Sequence, residues 1–220
     1  MNEKNNTLKI ITLDTIDSTN DYAFDLAKKS RGEIVVVRAH HQTQGRGRRD
    51  NTWSSPKNTG IYVSFLLKPD NCLTELIWLP LFFSYAASCC LEPTVKASIK
   101  WPNDILVNGK KIGGVLVEAK SANDRADFAI AGIGLNINTR LEQLPEGATS
   151  LYVETKESHN IDMLFEKLLT SVLDVYKEFK KGNIESLLTK ALSITEQKQK
   201  TEEIIQKYTK RNIKDLIILR

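Results

Sequence analysis

A chain of 220 residues is long enough for one well-cored domain with a small appendage and short for two full domains. Its 41% hydrophobic and 26% charged residues are those of an ordinary globular protein. The net charge of +4, from 31 basic and 27 acidic residues, is too mild to argue for nucleic acid. The opening MNEKNNTLKI has no basic segment followed by an apolar core, so no leader is expected. The most apolar stretch, residues 76–91, contains Pro80 and falls short of the roughly 20 residues that span a bilayer, which leaves a buried helix. Cys72, Cys89 and Cys90 are odd in number and lack metal-ligand spacing, so the buried, reduced thiols of a cytoplasmic protein are expected rather than disulfides or zinc.

In chain order, residues 10–14 read as a short strand. Asp17, Ser18 and Thr19 then offer caps for a helix carrying Tyr22, Ala23, Leu26 and Ala27 on one face, with Gly32 as its stop. The β-branched run at 34–39 predicts a buried strand. Residues 40–60 lose apolar periodicity and collect Gly, Arg, Asn, Ser and Pro, the composition of a long functional loop. A strand at 61–67, the apolar helix, and two strands at 104–107 and 112–119 around Asn108-Gly109 follow. Residues 127–138 read as a strand with Gly132 and Gly134 on one face. Helices are expected from about 161 to Gly182 and near 184–192, then a polar stretch and a final strand at 213–219. Hairpins and runs of strands with helices between them favour α+β over a doubly wound parallel sheet.

Four groups of residues carry chemistry. GRGRRD at 45–50 sets Arg46, Arg48 and Arg49 around Gly45 and Gly47, a backbone that can approach a ligand with forks suited to phosphate oxygens. A solvated basic turn or a nucleic-acid contact is the plainer alternative. In KWPNDILVNGKKIGGVLVE at 100–118, Lys100 and Asp104 flank Trp101-Pro102-Asn103, and Lys110 and Lys111 follow the turn. Regular alternation puts Lys111 on one face with Gly113 and Val115, aimed at a cleft, while Lys110 reads as solvated. Gly114 adjoins the same position. Ser18, Thr19 and Asn20 open a helix and, with Gln42, could hydrogen-bond a polar ligand; simple capping explains only one hydroxyl. His40 and His41 have no telling partner and are not read as ligands or bases. GIGLNIN at 132–138, which includes Asn136, gains weight by following the other three.

Together, DSTND at 17–21, QTQGRGRRDNTW at 42–53, KWPND with KIGG at 100–118, GIGLNIN, and PEGATSL at 145–151 resemble the catalytic domain of the biotin–protein ligases, over about residues 10–180. The resemblance implies a mixed, mostly antiparallel sheet flanked by helices, of the kind shared by class II aminoacyl-tRNA synthetases and biotin ligases. It implies an ATP-dependent ligase that makes biotinyl-5′-AMP and passes biotin to a lysine of a biotin carboxyl carrier protein, from acetyl-CoA carboxylase or a related carboxylase. Mg²⁺ would arrive with ATP, without a dedicated protein site. Ser18, Thr19, Asn20, Gln42, Gly45, Arg46, Gly47, Gly114, Gly132 and Gly134 would hold biotin. Arg46, Arg48, Arg49, Trp53, Lys100, Asn103, Lys111 and Asn136 would hold ATP or the adenylate. Lys111, Arg48 and Asp104 would serve catalysis, with the arginine loop closing over the adenylate.

The expected organisation is a catalytic domain at 1–180 and a short extension at 181–220 in place of a small SH3-like barrel. No winged-helix segment precedes residue 10, so the form without DNA binding is expected, and relatives of this kind are often homodimers. A lipoate–protein ligase and a non-enzymatic biotin-sensing module are the alternatives.

Overall fold

The computed structural model describes residues 8–28, 34–49, 51–69, 73–122, 125–196, 203 and 217–219. Its centre is set by the most apolar segments. In β3 (Gly60–Leu67) every residue is buried, the pattern of a strand covered on both faces. β2 (Ile34–Gln42) and β7 (Arg125–Asn136) pair with it antiparallel on either side. Outside them lie β1 (Leu8–Ile16), parallel to β2, and then β6 (Lys110–Ala122), β5 (Asp104–Val107) and β4 (Ser98–Lys100). The sheet order is therefore β1-β2-β3-β7-β6-β5-β4, and a short β8 (Ile218–Leu219) lies parallel to β6 at Glu118 and Ala119. Mixed but mostly antiparallel, this is the α+β architecture expected.

Strand alternation divides two cores. Val35, Val37, Leu66 and Ile130 face α1 (Thr19–Ala27), which supplies Ala23 and Ala27. Val36, Val63, Phe65, Ala129 and Ala131 face the larger core. There α3 (Leu79–Leu91), preceded by the single turn α2 (Leu73–Leu76), packs against α5 (Ile161–Lys180). Pro80 sits in the first turn of α3, as expected, and Ser84 and Ser88 donate to carbonyls one turn back, so this helix is buried without orphan hydroxyls. Leu164, Leu168, Val172, Tyr176 and Phe179 form the buried stripe of α5, which ends before Gly182 at φ +80°. Residues beyond 180 join the same core: α6 (Ile184–Ser193) buries Leu187 and Ala191, and Ile99 of β4 exchanges backbone hydrogen bonds with Ile194 and Glu196. Between β7 and α5, η1 (Leu141–Gln143) and α4 (Leu151–Thr155) complete the chain.

Several expectations are corrected. β1 and β2 both run further than predicted, and His40, His41 and Gln42 belong to β2, so the long loop is 43–59. These polar strand ends pair with β1 at Thr15 and Ile16, a backbone register that leaves no apolar alternation to read. β4 was not anticipated; three residues are too few for periodicity. Cys90 is buried but Cys89 is exposed, because the two neighbours lie about 100° apart around α3. Cys72, Gly32 and the polar stretch after 196 lie outside the described residues, as does all of the final expected strand except 217–219. No described helix is long and apolar enough to cross a membrane.

The correction that matters most is in the β5–β6 hairpin. Asn108 and Gly109 adopt φ of +50° and +74°, the turn expected. Leu106 pairs with Lys111 but Ile105 pairs with Gly113, so one residue of β6 is extra. This bulge reverses the phase of alternation. Gly113 and Val115 consequently face the core, where a side chain at Gly113 would strike Leu135 and Ile105. Lys111 shares its face with Gly114 instead, its Nζ lying 3.6 Å from where a Gly114 Cβ would sit.

Candidate active site

The N-terminus of α1, the 43–59 loop, β5, β6 and β7 enclose a cleft of about 520 Å³. That volume is within the usual range for small-molecule sites. One end is a chain of polar side chains. Ser18 caps α1, its Oγ accepting from Asp21 N at 3.4 Å. Thr19 donates from both N (2.9 Å) and Oγ1 (3.0 Å) to Gln42 Oε1, and Gln42 Nε2 donates to Ser55 Oγ (2.9 Å). Ser64 Oγ donates to Asn20 Oδ1 (2.5 Å) and lies 2.7 Å from Thr19 Oγ1. Thr19, Asn20 and Ser64 are buried, so this network is rigid and already hydrogen-bonded. The Asn20 carboxamide fills the space that a side chain at Gly132 would need.

The 43–59 loop folds back on itself over the cleft. Trp53 N donates to Gly45 O (2.8 Å), Gly47 N to Asn51 O (2.7 Å), and Arg49 sits at the tip with φ +54°. The Trp53 indole lies against Gly134, where any Cβ would collide with it, and its buried Nε1 has no hydrogen-bond partner. Arg46 grips the buried Glu118 with both terminal nitrogens (3.1 and 2.8 Å) and also reaches Asp21 (3.0 Å), while its buried Nε is unpartnered. Arg48 Nη1 donates to Asn103 Oδ1 (2.8 Å), and Asn103 Nδ2 donates to Val115 O (2.9 Å).

Lys111 stands at the other side of the cleft. Its backbone is fixed by the bulge and by pairing with the segment after Gly147: Lys111 N donates to Gly147 O (3.1 Å) and Thr149 N to Lys111 O (2.8 Å). Its Nζ pairs with Asp104 Oδ1 (2.5 Å) and lies 5.7 Å from the Trp53 ring centroid. Both members of the pair keep roughly a third of their side-chain surface exposed, 38% and 28%, so the ammonium can be approached from the cleft. Arg46, paired with Glu118 and Asp21, thus lies by the polar end of the cleft, and Lys111, paired with Asp104 beside the Trp53 ring, lies across from it. Such a site can bind an anion beside an uncharged polar head.

A family model described as the biotin/lipoate A/B protein ligase family matches residues 12–136. The chain belongs to this family. Over 139 residues, 62% of the chain, it is 39% identical to the bifunctional ligase/repressor BirA of Bacillus spizizenii, covering 43% of that protein. It is 32% identical to the biotin–[acetyl-CoA-carboxylase] ligase of Mycobacterium tuberculosis, over 63% of the chain and 54% of that protein. The chain therefore spans about half the length of these relatives or less. Among solved structures, the biotin protein ligase from Aquifex aeolicus in complex with biotin and ATP superposes with a TM-score of 0.71 at 32% identity, covering 86% of this chain and 78% of that one.

Most residues singled out from the sequence of this ligase-family chain line the one cleft: Ser18, Thr19, Asn20, Gln42, Arg46, Gly47, Arg48, Arg49, Trp53, Asn103, Asp104, Lys111, Gly114, Gly132 and Gly134. Three do not. Gly45 packs the loop, since a Cβ there would meet Trp53 O and come within 3.0 Å of Ser55 Oγ. Asn136 lines a smaller adjoining cavity of about 290 Å³ behind Trp53, and donates to Thr149 O (3.0 Å). Lys100 is exposed on β4 and lines neither cavity. Sequence reasoning missed Ser55, Ser64 and Glu118. Once the bulge is known, alternation from Lys111 through Gly114 and Leu116 puts Glu118 on the cleft side of the sheet, buried against Asn20 and Arg46, and a charge among apolar neighbours was the available sign.

Proposed function

We propose that this chain adenylates biotin with ATP and transfers biotin to a lysine of a biotin carboxyl carrier protein, that of acetyl-CoA carboxylase or a related carboxylase. The observation that carries the reading is the position of Lys111, beside Asp104 and Trp53, in the same cleft as the Ser18–Thr19–Asn20–Gln42 network and the arginine loop. The names of the relatives support the substrates.

The uncharged polar network suits the ureido head of biotin, with Gly132 leaving room for the Asn20 carboxamide that belongs to it. In the first step a biotin carboxylate oxygen attacks the α-phosphorus of ATP, and the bond to pyrophosphate breaks. Two anions must meet, so Lys111 and Arg48 offset their repulsion and stabilise charge on the transferring phosphate. Among the described residues no three His, Cys, Asp or Glu side chains converge as a metal site, and Mg²⁺ is proposed as the companion of the triphosphate. The unpartnered Trp53 Nε1 and Arg46 Nε are donors that a bound acceptor would satisfy. In the second step the neutral amine of the carrier lysine attacks the anhydride carbonyl, AMP departs, and Asp104, beside Lys111 in the cleft, accepts the proton. The loop would keep water from the mixed anhydride.

The test is mass-spectrometric detection of biotinyl-5′-AMP formed by the wild-type chain with ATP and Mg²⁺. The expected result is adenylate from biotin and none from lipoate. Adenylate from lipoate alone would overturn the assignment of substrate, and no adenylate from either would overturn the reaction.

A further inference from the structure

We infer that Glu118 is a positioning residue that ties the arginine loop to the polar pocket, so that biotin recognition and loop closure are set by one buried carboxylate. This rests on the proposed biotin-adenylating reading for its kinetic consequence, though not for its structural one. Glu118 is only 1% exposed, in a strand whose neighbours are apolar. A buried charge is costly unless paired, and folding alone is served as well by an apolar residue. What this carboxylate adds is three donors held at once. Its Oε1 accepts from Arg46 Nη1 (3.1 Å), and its Oε2 accepts from Arg46 Nη2 (2.8 Å) and from Asn20 Nδ2 (2.7 Å).

Two orientations follow. Because the carboxylate accepts from Asn20 Nδ2, the amide cannot flip, and Oδ1 is held toward Ser64 and packed against Gly132. Because both terminal nitrogens of Arg46 are engaged, the guanidinium is fixed in one plane with Nε left to donate. Arg46 belongs to the loop and Asn20 to α1, more than twenty residues apart in sequence. Arg46 touches α1 directly at Asp21 (3.0 Å), and Glu118 of β6 is the carboxylate that Arg46 and Asn20 share. Arg46 is therefore chiefly an anchor of the loop, which leaves Arg48 and Lys111, both lining the cleft, as the cations for the phosphate of the proposed reaction.

Glu118→Gln keeps the shape and removes the charge, placing an amide N–H₂ where a donor was accepted. Three readouts decide the inference: KM and kcat for biotin in adenylate formation, tryptic cleavage at Arg46, Arg48 and Arg49 in the substrate-free protein, and the melting temperature. The expected result is a rise in KM for biotin of about tenfold, the effect of one mis-set charge-assisted hydrogen bond, with kcat within about threefold. Cleavage of the loop should be about tenfold faster, since proteolysis follows the population of the open form. Wild-type KM and cleavage in the folded variant would overturn the inference. So would a parallel loss of melting temperature and kcat with KM unchanged, which marks a role in folding only. If Glu118→Gln does not fold, Arg46→Gln reads the pair from its other end and must give the same faster cleavage at Arg48 and Arg49; wild-type cleavage there would overturn it. A wild-type chain that makes no biotinyl-adenylate would defeat the functional reading, whereas the cleavage assay needs no substrate and still decides the positioning claim.

Discussion

Replacing Gly132 with alanine tests how firmly the polar end of the cleft is held. The backbone there lies outside the left-handed region, so alanine is penalised only by contact. Its Cβ would fall on Asn20 Oδ1 and lie 3.0 Å from Asn20 Cγ and 3.1 Å from Nδ2. If Asn20 stays, the overlap costs about 1–3 kcal/mol. If it retreats, it gives up a hydrogen bond to Ser64 and a charged one to Glu118, together about 2–4 kcal/mol. Alanine recovers about 0.5–1 kcal/mol through the entropy of the unfolded chain. The net loss is about 2 kcal/mol, or a drop of about 4–8 °C in melting temperature for a chain of this size. Gly134→Ala is the control. There the neighbour is the Trp53 indole, whose Nε1 has no hydrogen bond to lose, so the ring can turn aside for less than about 1 kcal/mol. Thermal unfolding followed by circular dichroism measures both. Equal losses, or a larger one for Gly134→Ala, would refute the claim that Asn20 is locked from two sides.

Three other outcomes are expected. Arg48→Ala removes the donor to Asn103 Oδ1 and should release the adenylate at least about tenfold faster in a filter-retention assay, and equal retention would remove the loop's closing role. Burial pushes the Cys90 thiol up to about 12, so its thiolate is scarce at neutral pH and alkylation should accelerate as pH rises toward that value. Mass spectrometry of the native protein at pH 8 should show Cys89 modified well before Cys90, and simultaneous modification would contradict the packing of α3. Ser18→Ala should cost at most about 1 kcal/mol in chemical denaturation, because the capping contact to Asp21 N is long at 3.4 Å.

The parts of the fold legible in sequence were those with strong local chemistry. β3 is a continuous apolar run, Asn108-Gly109 demands its turn, and the periodic stripe of α5 has one partner face. β1 was only partly legible because an edge strand needs no continuous apolar face, and it is largely exposed. The cleft was legible as a set of motifs, and nearly all of those residues meet. What escaped was phase. A single extra residue in β6 exchanges Gly113 for Gly114 beside Lys111, and the cross-strand pairing that creates it is not local. Glu118 escaped for the same reason: its partners Asn20 and Arg46 come from α1 and the loop, and no spacing along the chain announces them.

The central claim concerns Lys111 and the reaction it serves. Incorporation of labelled biotin into a purified biotin-carrier domain, with ATP and Mg²⁺, should be compared for the wild type and Lys111→Ala, with melting temperatures measured alongside. Lys111 and Asp104 are both partly solvated, so the substitution should leave stability within about 1 kcal/mol while transfer is lost. Transfer by the wild type and its loss in a folded Lys111→Ala is the predicted result. Label incorporated equally by both would contradict the assignment of Lys111, and none incorporated by the wild type would contradict the ligase reaction itself.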